Sequence, residues 1–283
     1  MASPKGIPKH LRNLENRLNE TISEVFPRAE FNAHRIPGQQ RRRIALLPEH
    51  SQAFHRDWNR LDDRRRSAAC CFEWARLQIF MAVHVLPILR RSKLDFHHVT
   101  VVDKRWRIAP GSADGQCFDR PRRKVRGAIE LLRREGYSPV HIAAYELSGD
   151  RSLKGDYSFE PHVHLLIGGV PKAALQIAFD VRQPRSERGR HKPVRAPQIG
   201  ESQLQNILSY LTKMKAQDRV EYLRSNGKTN RISNRMAPAE EVEWLRCMAT
   251  VPITHMIQFG GFAEPITSRF AHREMATMLG EMK

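Results

Sequence analysis

The spacing of hydrophobic residues changes several times along this 283-residue chain, and the changes divide it into regions. Leu11, Leu14, Leu18, Ile22 and Val25 recur at three- and four-residue steps, which predicts an amphipathic helix that Pro27 ends. A longer helical stretch is predicted from about Gln52 to Leu89. At His97 to Val102 the chain turns rich in β-branched residues and reads as the first strand of a new unit. A Pro-Gly-Ser loop follows at Ala109 to Asp114. Pro121 to Glu135 then reads as a helix, with Val125, Ile129 and Leu132 inward and Gly136 as its stop. Val140 to Leu147 is predicted as a second strand, joined through the polar loop Ser148 to Tyr157 to a third.

That third strand, Glu160 to Gly169, carries the most informative pattern in the sequence. Pro161 suits a first strand position, Val163, Leu165 and Ile167 alternate onto one face, and Gly168-Gly169 stop the run. His162 and His164 therefore share the other face, roughly 6 to 7 Å apart along the strand, a spacing from which two imidazoles can converge on one metal ion. With 13 histidines in the chain, chance supplies about 0.6 His-x-His pairs, so the pair needs its context to carry weight. Part of that context lies downstream. Leu204, Ile207, Leu208 and Leu211 form a helical stripe in Glu201 to Lys215, and Tyr210 and Lys213 fall at i, i+3 on or beside the opposite face. Between strand and helix, Lys172 to Val181 is predicted as another helix, and Arg182 to Pro197 is a basic connection with room for a short strand. The tail holds a helix at about Pro238 to Met248 and an apolar strand-like piece around Ile253 to Phe262.

The order strand, helix, strand, strand, helix suggests an α+β fold, an antiparallel sheet with helices on a face in a ferredoxin-like plan. Three regions follow: a helical region at 1–95, the sheet-bearing domain at 96–216, and an extension at 217–283.

Charge narrows the partner. Against 30 Asp and Glu stand 48 Lys and Arg, a net +18. The positives cluster at Arg41 to Arg43, Arg64 to Arg66, Arg90-Arg91, and Arg120 to Arg126 with Arg122, Arg123, Lys124 and Arg126. Four such runs fit a phosphate backbone better than an anionic membrane, because they are dispersed among globular segments rather than gathered on one amphipathic helix. The longest apolar-rich stretch, Ala68 to Leu89, contains Glu73, Arg76, Gln78, His84 and Pro87 and reads as a buried helix rather than a membrane span. Met1 to His10 shows no signal pattern. Cys70, Cys71, Cys117 and Cys247 lack zinc spacing and read as reduced thiols of a cytoplasmic protein. No phosphate-binding Gly-x-x-x-x-Gly-Lys loop occurs, which argues against an ATP-driven helicase.

A strand with His-hydrophobic-His, a hairpin partner before it and a Tyr-x-x-Lys helix after it resembles the HUH endonucleases, most closely the single-tyrosine initiators of rolling-circle plasmids and filamentous phages. Pro161-His-Val-His-Leu-Leu166 and Ser209-Tyr-Leu-Thr-Lys213 carry the resemblance, and Val99-Thr-Val-Val102 only loosely joins them. It covers about Phe96 to Lys215. The resemblance implies nicking and rejoining of single-stranded or hairpin origin DNA, Tyr210 as nucleophile assisted by Lys213, Mg²⁺ or Mn²⁺ as cofactor, and a host helicase and polymerase as partners. It also implies a third protein ligand beside His162 and His164, expected to be Glu146, with Glu160 in reserve. Because Glu146 shares its strand face with Val140 and Ile142, a bulge or strand end is expected to redirect it. Tyr222 does not reproduce the close pairing of two-tyrosine relatives, so one nucleophile is expected. Alternatives are a transposase or relaxase of the same superfamily, a 2H phosphoesterase using His98-Val-Thr100, which would need a second such motif, and a basic module that binds nucleic acid without cutting it.

Overall fold

The computed structural model describes residues 67–180, 194–213, 216–227 and 229–262, together with short pieces of helix at 16–17, 20–21 and 23–24. The basic runs Arg41 to Arg43 and Arg64 to Arg66, and most of the helix predicted from Leu11 to Val25, lie outside the described residues. The fold is α+β, a curled mixed sheet with helices packed against it.

Helix α1 (Cys71–Phe80) runs through a π-helical turn (Met81–Val85) into α2 (Leu86–Ser92). Residues 73–82 are buried on every side, so the polar members must pair internally. Arg76 meets Glu73 at 2.7 Å, and Gln78 donates to the carbonyl of Thr212 at 3.3 Å. The sheet strands are β1 (Phe96–Val102), β2 (Val140–Arg151), β3 (Tyr157–Gly168), β4 (Val194–Arg195), β5 (Gln198–Ile199), β6 (Gln217–Leu223), β7 (Thr229–Arg235) and β8 (Ile257–Gly260). Between them lie α3 (Asp119–Arg134), α4 (Lys172–Ala178), α5 (Leu204–Leu211) and α6 (Pro238–Thr250). The sheet order is β4-β1-β3-β2-β6-β7, with β5 also on β1 and β8 also on β2.

β3 is the middle strand, antiparallel to both β1 and β2. Its two faces explain the rest of the packing. Val163, Leu165 and Ile167 project with Val99, Val101 and Ala143 onto one face, which α3 and α4 cover with Val125, Ala128, Ile129, Leu132 and Leu175. His162, His164 and Leu166 project onto the other with Thr100, Ala144, Glu146 and Ile142. Helix α5 lies on this second face, with α2 and the π-helical turn against it, and Phe80 of α1 packs edge-on to Phe259 of β8.

Three features differ from the sequence reading. The sheet is mixed rather than wholly antiparallel, because β6 runs parallel to β2 at Gly149 to Arg151. The hairpin is also longer than its hydrophobic pattern: Ser148 to Arg151 and Tyr157 to Glu160 continue the ladder, leaving a turn at Ser152 to Asp156. These polar positions are strand because their charges pair inside the protein, with Asp150 and Glu160 both bonded to Arg107. Finally, β6, β7 and β8 belong to the same sheet, so the sheet continues across the boundary expected at 216.

Candidate metal centre and nucleophile

Glu146 and His162 are directly opposed on β2 and β3, and His164 stands two residues along from His162, opposite Ala144. Register alone therefore brings one carboxylate and two imidazoles together, with ligand atoms all within 4.8 Å of one another. Glu146 Oε2 is 3.4 Å from His162 Nε2 and 3.3 Å from His164 Nε2. The expected bulge is not needed. The pairing of β2 with β3 is continuous from Val140 to Arg151, and Glu146 already faces the histidines. The face it shares with Val140 and Ile142 simply changes character along the strand, from apolar beneath Phe259 to polar at Glu146 and Asp150.

The far ring nitrogens orient the imidazoles. His162 Nδ1 is 3.0 Å from the carbonyl oxygen of Glu160, which can only accept, so Nδ1 carries the proton and Nε2 presents a lone pair. Arg219 Nη2, a pure donor, approaches that lone pair at 3.0 Å. His164 Nδ1 lies 3.0 Å from Thr100 Oγ1, and its Nε2 lies 3.3 Å from the hydroxyl of Tyr210. Burial pushes the pKa of His164 down to about 3, against the pull of Glu146, so the ring is neutral. Burial also opposes ionisation of Glu146. It is outweighed by His162, by hydrogen bonding to both histidines and by Lys213, which hold the carboxyl well below the usual range.

This donor set fits a divalent cation. A carboxylate oxygen and an imidazole lone pair 3.4 Å apart repel unless a proton or a cation lies between them, and imidazole and carboxylate are both ligands that divalent cations take. Outer contacts of the kind that stiffen metal sites are in place at Thr100, at the Glu160 carbonyl, and at Gln217, whose amide reaches Glu146 Oε1 at 3.3 Å.

Tyr210 projects from the last turn of α5 onto the same face, half-buried, its ring 4.9 Å from that of His164 and 5.5 Å from that of His98. Lys213 lies just past the helix end, with Nζ 3.6 Å from the Tyr210 ring centroid and 3.4 Å from Glu146 Oε2. The structure thus brings Glu146, His162, His164, Tyr210 and Lys213 into one cluster. Glu160 lies on the same sheet face one pair further along, opposite Ser148, where Arg107 at 3.2 Å and Arg219 at 3.8 Å hold it outside the group of converging ligand atoms.

The basic run of α3 lies across the sheet from this cluster. Arg122 stacks over Phe118 and Tyr145 and donates to the carbonyl of His255, and Lys124 donates to the carbonyl of Asp180. Arg123 and Arg126 are exposed. Nearer the cluster is Arg219 on β6, which the sequence reading missed. The Asn226-Gly227 dipeptide, with Gly227 at φ +72°, was the available hairpin signal.

The chain matches no family model, no curated protein and no solved structure. Among the described residues no helix is long and apolar enough to cross a membrane.

Proposed function

We propose that this chain is an HUH-type endonuclease and strand transferase, nicking single-stranded DNA through a covalent tyrosine adduct to initiate rolling-circle replication of a plasmid or phage in a bacterial cytoplasm. Under this reading β1-α3-β2-β3-α4 is the ferredoxin-like core. The observation that carries it is the placement of the Tyr210 hydroxyl 3.3 Å from His164, on the sheet face that bears Glu146 and His162.

Glu146, His162 and His164 would hold a divalent cation such as Mg²⁺ or Mn²⁺, whose chemistry there would be charge neutralisation at the scissile phosphate. The protein does the rest. Tyr210 oxygen attacks phosphorus, the bond to the 3′ oxygen breaks, the departing oxygen takes up a proton and the phenol proton is released to solvent. The DNA 5′ end is left on Tyr210 as a phosphotyrosine. The Lys213 ammonium, with Nζ 3.6 Å from the Tyr210 ring centroid, stands where negative charge passes from the phenol oxygen to the phosphate during attack. Thr100 and the Glu160 carbonyl hold the imidazoles still. A free 3′ hydroxyl reverses the step, so joining needs no ATP, and a host helicase and polymerase would act on the opened duplex.

The test is incubation of the full chain with Mn²⁺ and a broad set of 3′-labelled hairpin oligonucleotides, followed by denaturing electrophoresis. The labelled strand migrates with the wild-type protein and with Tyr222→Phe. With Tyr210→Phe the adduct disappears while DNA binding persists. If no substrate yields a wild-type adduct, the net charge of +18 supports only the second reading, a basic protein that binds nucleic acid without cutting it.

A further inference from the structure

On the sheet face remote from Tyr210, α3 and β8 line a half-open cleft of about 320 Å³. That lies at the lower end of the range for small-ligand sites, roughly 300 to 1,000 Å³. Arg126, Ile129, Glu130 and Arg133 recur at i, i+3, i+4 and i+7, so one stripe of α3 forms a wall. His141 of β2 and the backbone of Gly260 and Gly261 form the floor and the opposite side, with Gln258 and Phe262 completing it.

His141 is the odd member. It is 2 % exposed, yet neither ring nitrogen has a hydrogen-bond partner among the described residues. The Pro139 carbonyl lies close enough to favour its protonated form, but burial dominates and brings its pKa down to about 4. A neutral imidazole carries one donor and one acceptor, and burying both unpaired is costly. The local backbone is nonetheless shaped to admit the ring. A side chain at Gly260 would run into the imidazole, and Gly261 adopts φ +75°, where a side chain would also strike the Pro139 carbonyl. Two glycines thus seat a histidine whose ring nitrogens make no well-formed hydrogen bond among the described residues, with only the Pro139 carbonyl near them.

The walls indicate what would satisfy it. Two exposed guanidiniums against one carboxylate, Glu130, leave the mouth positive, and Ile129 and Phe262 add apolar surface. A simple anion offers acceptors only. A nucleotide offers phosphate oxygens for the arginines and for one imidazole nitrogen, together with sugar or base donors for the other. We propose that this cleft is a second site, separate from the metal centre, that binds one nucleotide 5′-phosphate unit through Arg126, Arg133 and His141. The unit comes either from a free mononucleotide or from one position of a bound single strand.

Calorimetric titration of the full chain with deoxynucleoside 5′-monophosphates, and in parallel with a 12-nucleotide single strand, tests the site. In the first arm the wild type binds one mononucleotide per chain. Affinity falls about tenfold or more in Arg126→Gln/Arg133→Gln, altered at the exposed rim where folding is least at risk, and in Phe262→Ala, which also loses the half-buried contact of that ring with Phe259. His164→Ala, altered only at the metal centre, binds as wild type, so the result stands whether or not the chain cuts DNA. If the strand binds and the mononucleotide does not, and the same rim variants weaken the strand, the site exists and reads DNA. If neither probe binds, or if both bind equally well to the rim variants with their melting temperatures unchanged, the proposal is overturned.

Discussion

Glu146 and His162 stand directly opposite one another in the β2–β3 ladder, with carboxylate Oε2 3.4 Å from imidazole Nε2. A cross-strand pair is about the most rigid way two side chains can be aimed at one point, because both backbones are fixed by hydrogen bonds on either side. Rigidity of this kind matters for a cation, whose ligands must already face one another. Glu146→Gln keeps the volume and removes the charge. Loss of an outer-shell partner alone typically costs about 10- to 100-fold in metal affinity, so losing a ligand charge should cost at least about tenfold. Titration of Mn²⁺ followed by electron paramagnetic resonance measures it, and equal affinities for wild type and variant would remove Glu146 from the ligand set.

Arg219 donates to the same His162 nitrogen that a metal would take. One lone pair cannot serve both, so a metal and this guanidinium compete. Arg219→Ala is expected to raise Mn²⁺ affinity. Under the proposed function Arg219, freed from His162 but still beside Glu160 at 3.8 Å, would meet a DNA phosphate, so the same variant should weaken single-strand binding and reduce its salt slope by about one. Unchanged Mn²⁺ affinity would show that the two do not compete.

Two glycines should respond in opposite directions to alanine. At Gly149 a methyl group would meet the Asp218 carboxylate and the Tyr157 hydroxyl, which are hydrogen-bonded to each other at 3.2 Å where β6 joins β2. Forcing them apart should cost about 1 to 3 kcal/mol and loosen the strand that carries Gln217 and Arg219. Gly127, inside α3, has nothing within 4 Å of an added methyl, so Gly127→Ala should stabilise by about 0.5 to 1 kcal/mol through helix propensity. Thermal melts of both variants decide it, and a Gly149→Ala protein melting at or above wild type would contradict the packing described at the β2–β6 junction.

The parts of this arrangement that were legible in the sequence are those whose pattern serves an apolar core. Val163, Leu165 and Ile167 announce their strand and so place His162 and His164 opposite, and Leu204, Leu208 and Leu211 anchor α5 and so leave Tyr210 off the buried stripe, where it meets His164. Glu146 is identifiable from the sequence, but its orientation is not: parity with Val140 and Ile142 suggests an apolar face throughout, whereas β2 passes from apolar to charged along it. The β6–β7 hairpin is not legible because its inward side is polar: Gln217 donates to Glu146, Arg219 pairs with Glu160, and Arg231 pairs with Asp150 and Glu221. Periodicity in hydrophobic residues cannot report a layer held by ion pairs. Thr100 was seen as part of a weak motif, not as the partner of His164, since that contact depends on the register of β1 against β3.

Acid should destabilise the protein in two stages. Burial lowers the pKa of His141 to about 4 and that of His164 to about 3, both below the ordinary value of 6.5. The unfolded chain therefore takes up these protons first, and folding stability falls as pH drops from 6.5 toward the folded values. For His141 alone the shift corresponds to roughly 3 kcal/mol once pH reaches 4. Glu146 acts in the same direction but lower. Its carboxyl is depressed in the fold, so its contribution is complete above about 4.5 and is lost as pH falls through the folded value. Urea unfolding at pH 7.5, 6.0, 5.0 and 4.5 should thus show the midpoint declining from about pH 6.5 downward. In His141→Leu, which keeps an apolar side chain against Gly260, that decline should be shallower and stability near neutrality should not be lower. A midpoint flat between pH 7.5 and 5.0, or a His141→Leu slope equal to wild type, would mean that the histidine is charged and partnered in the fold.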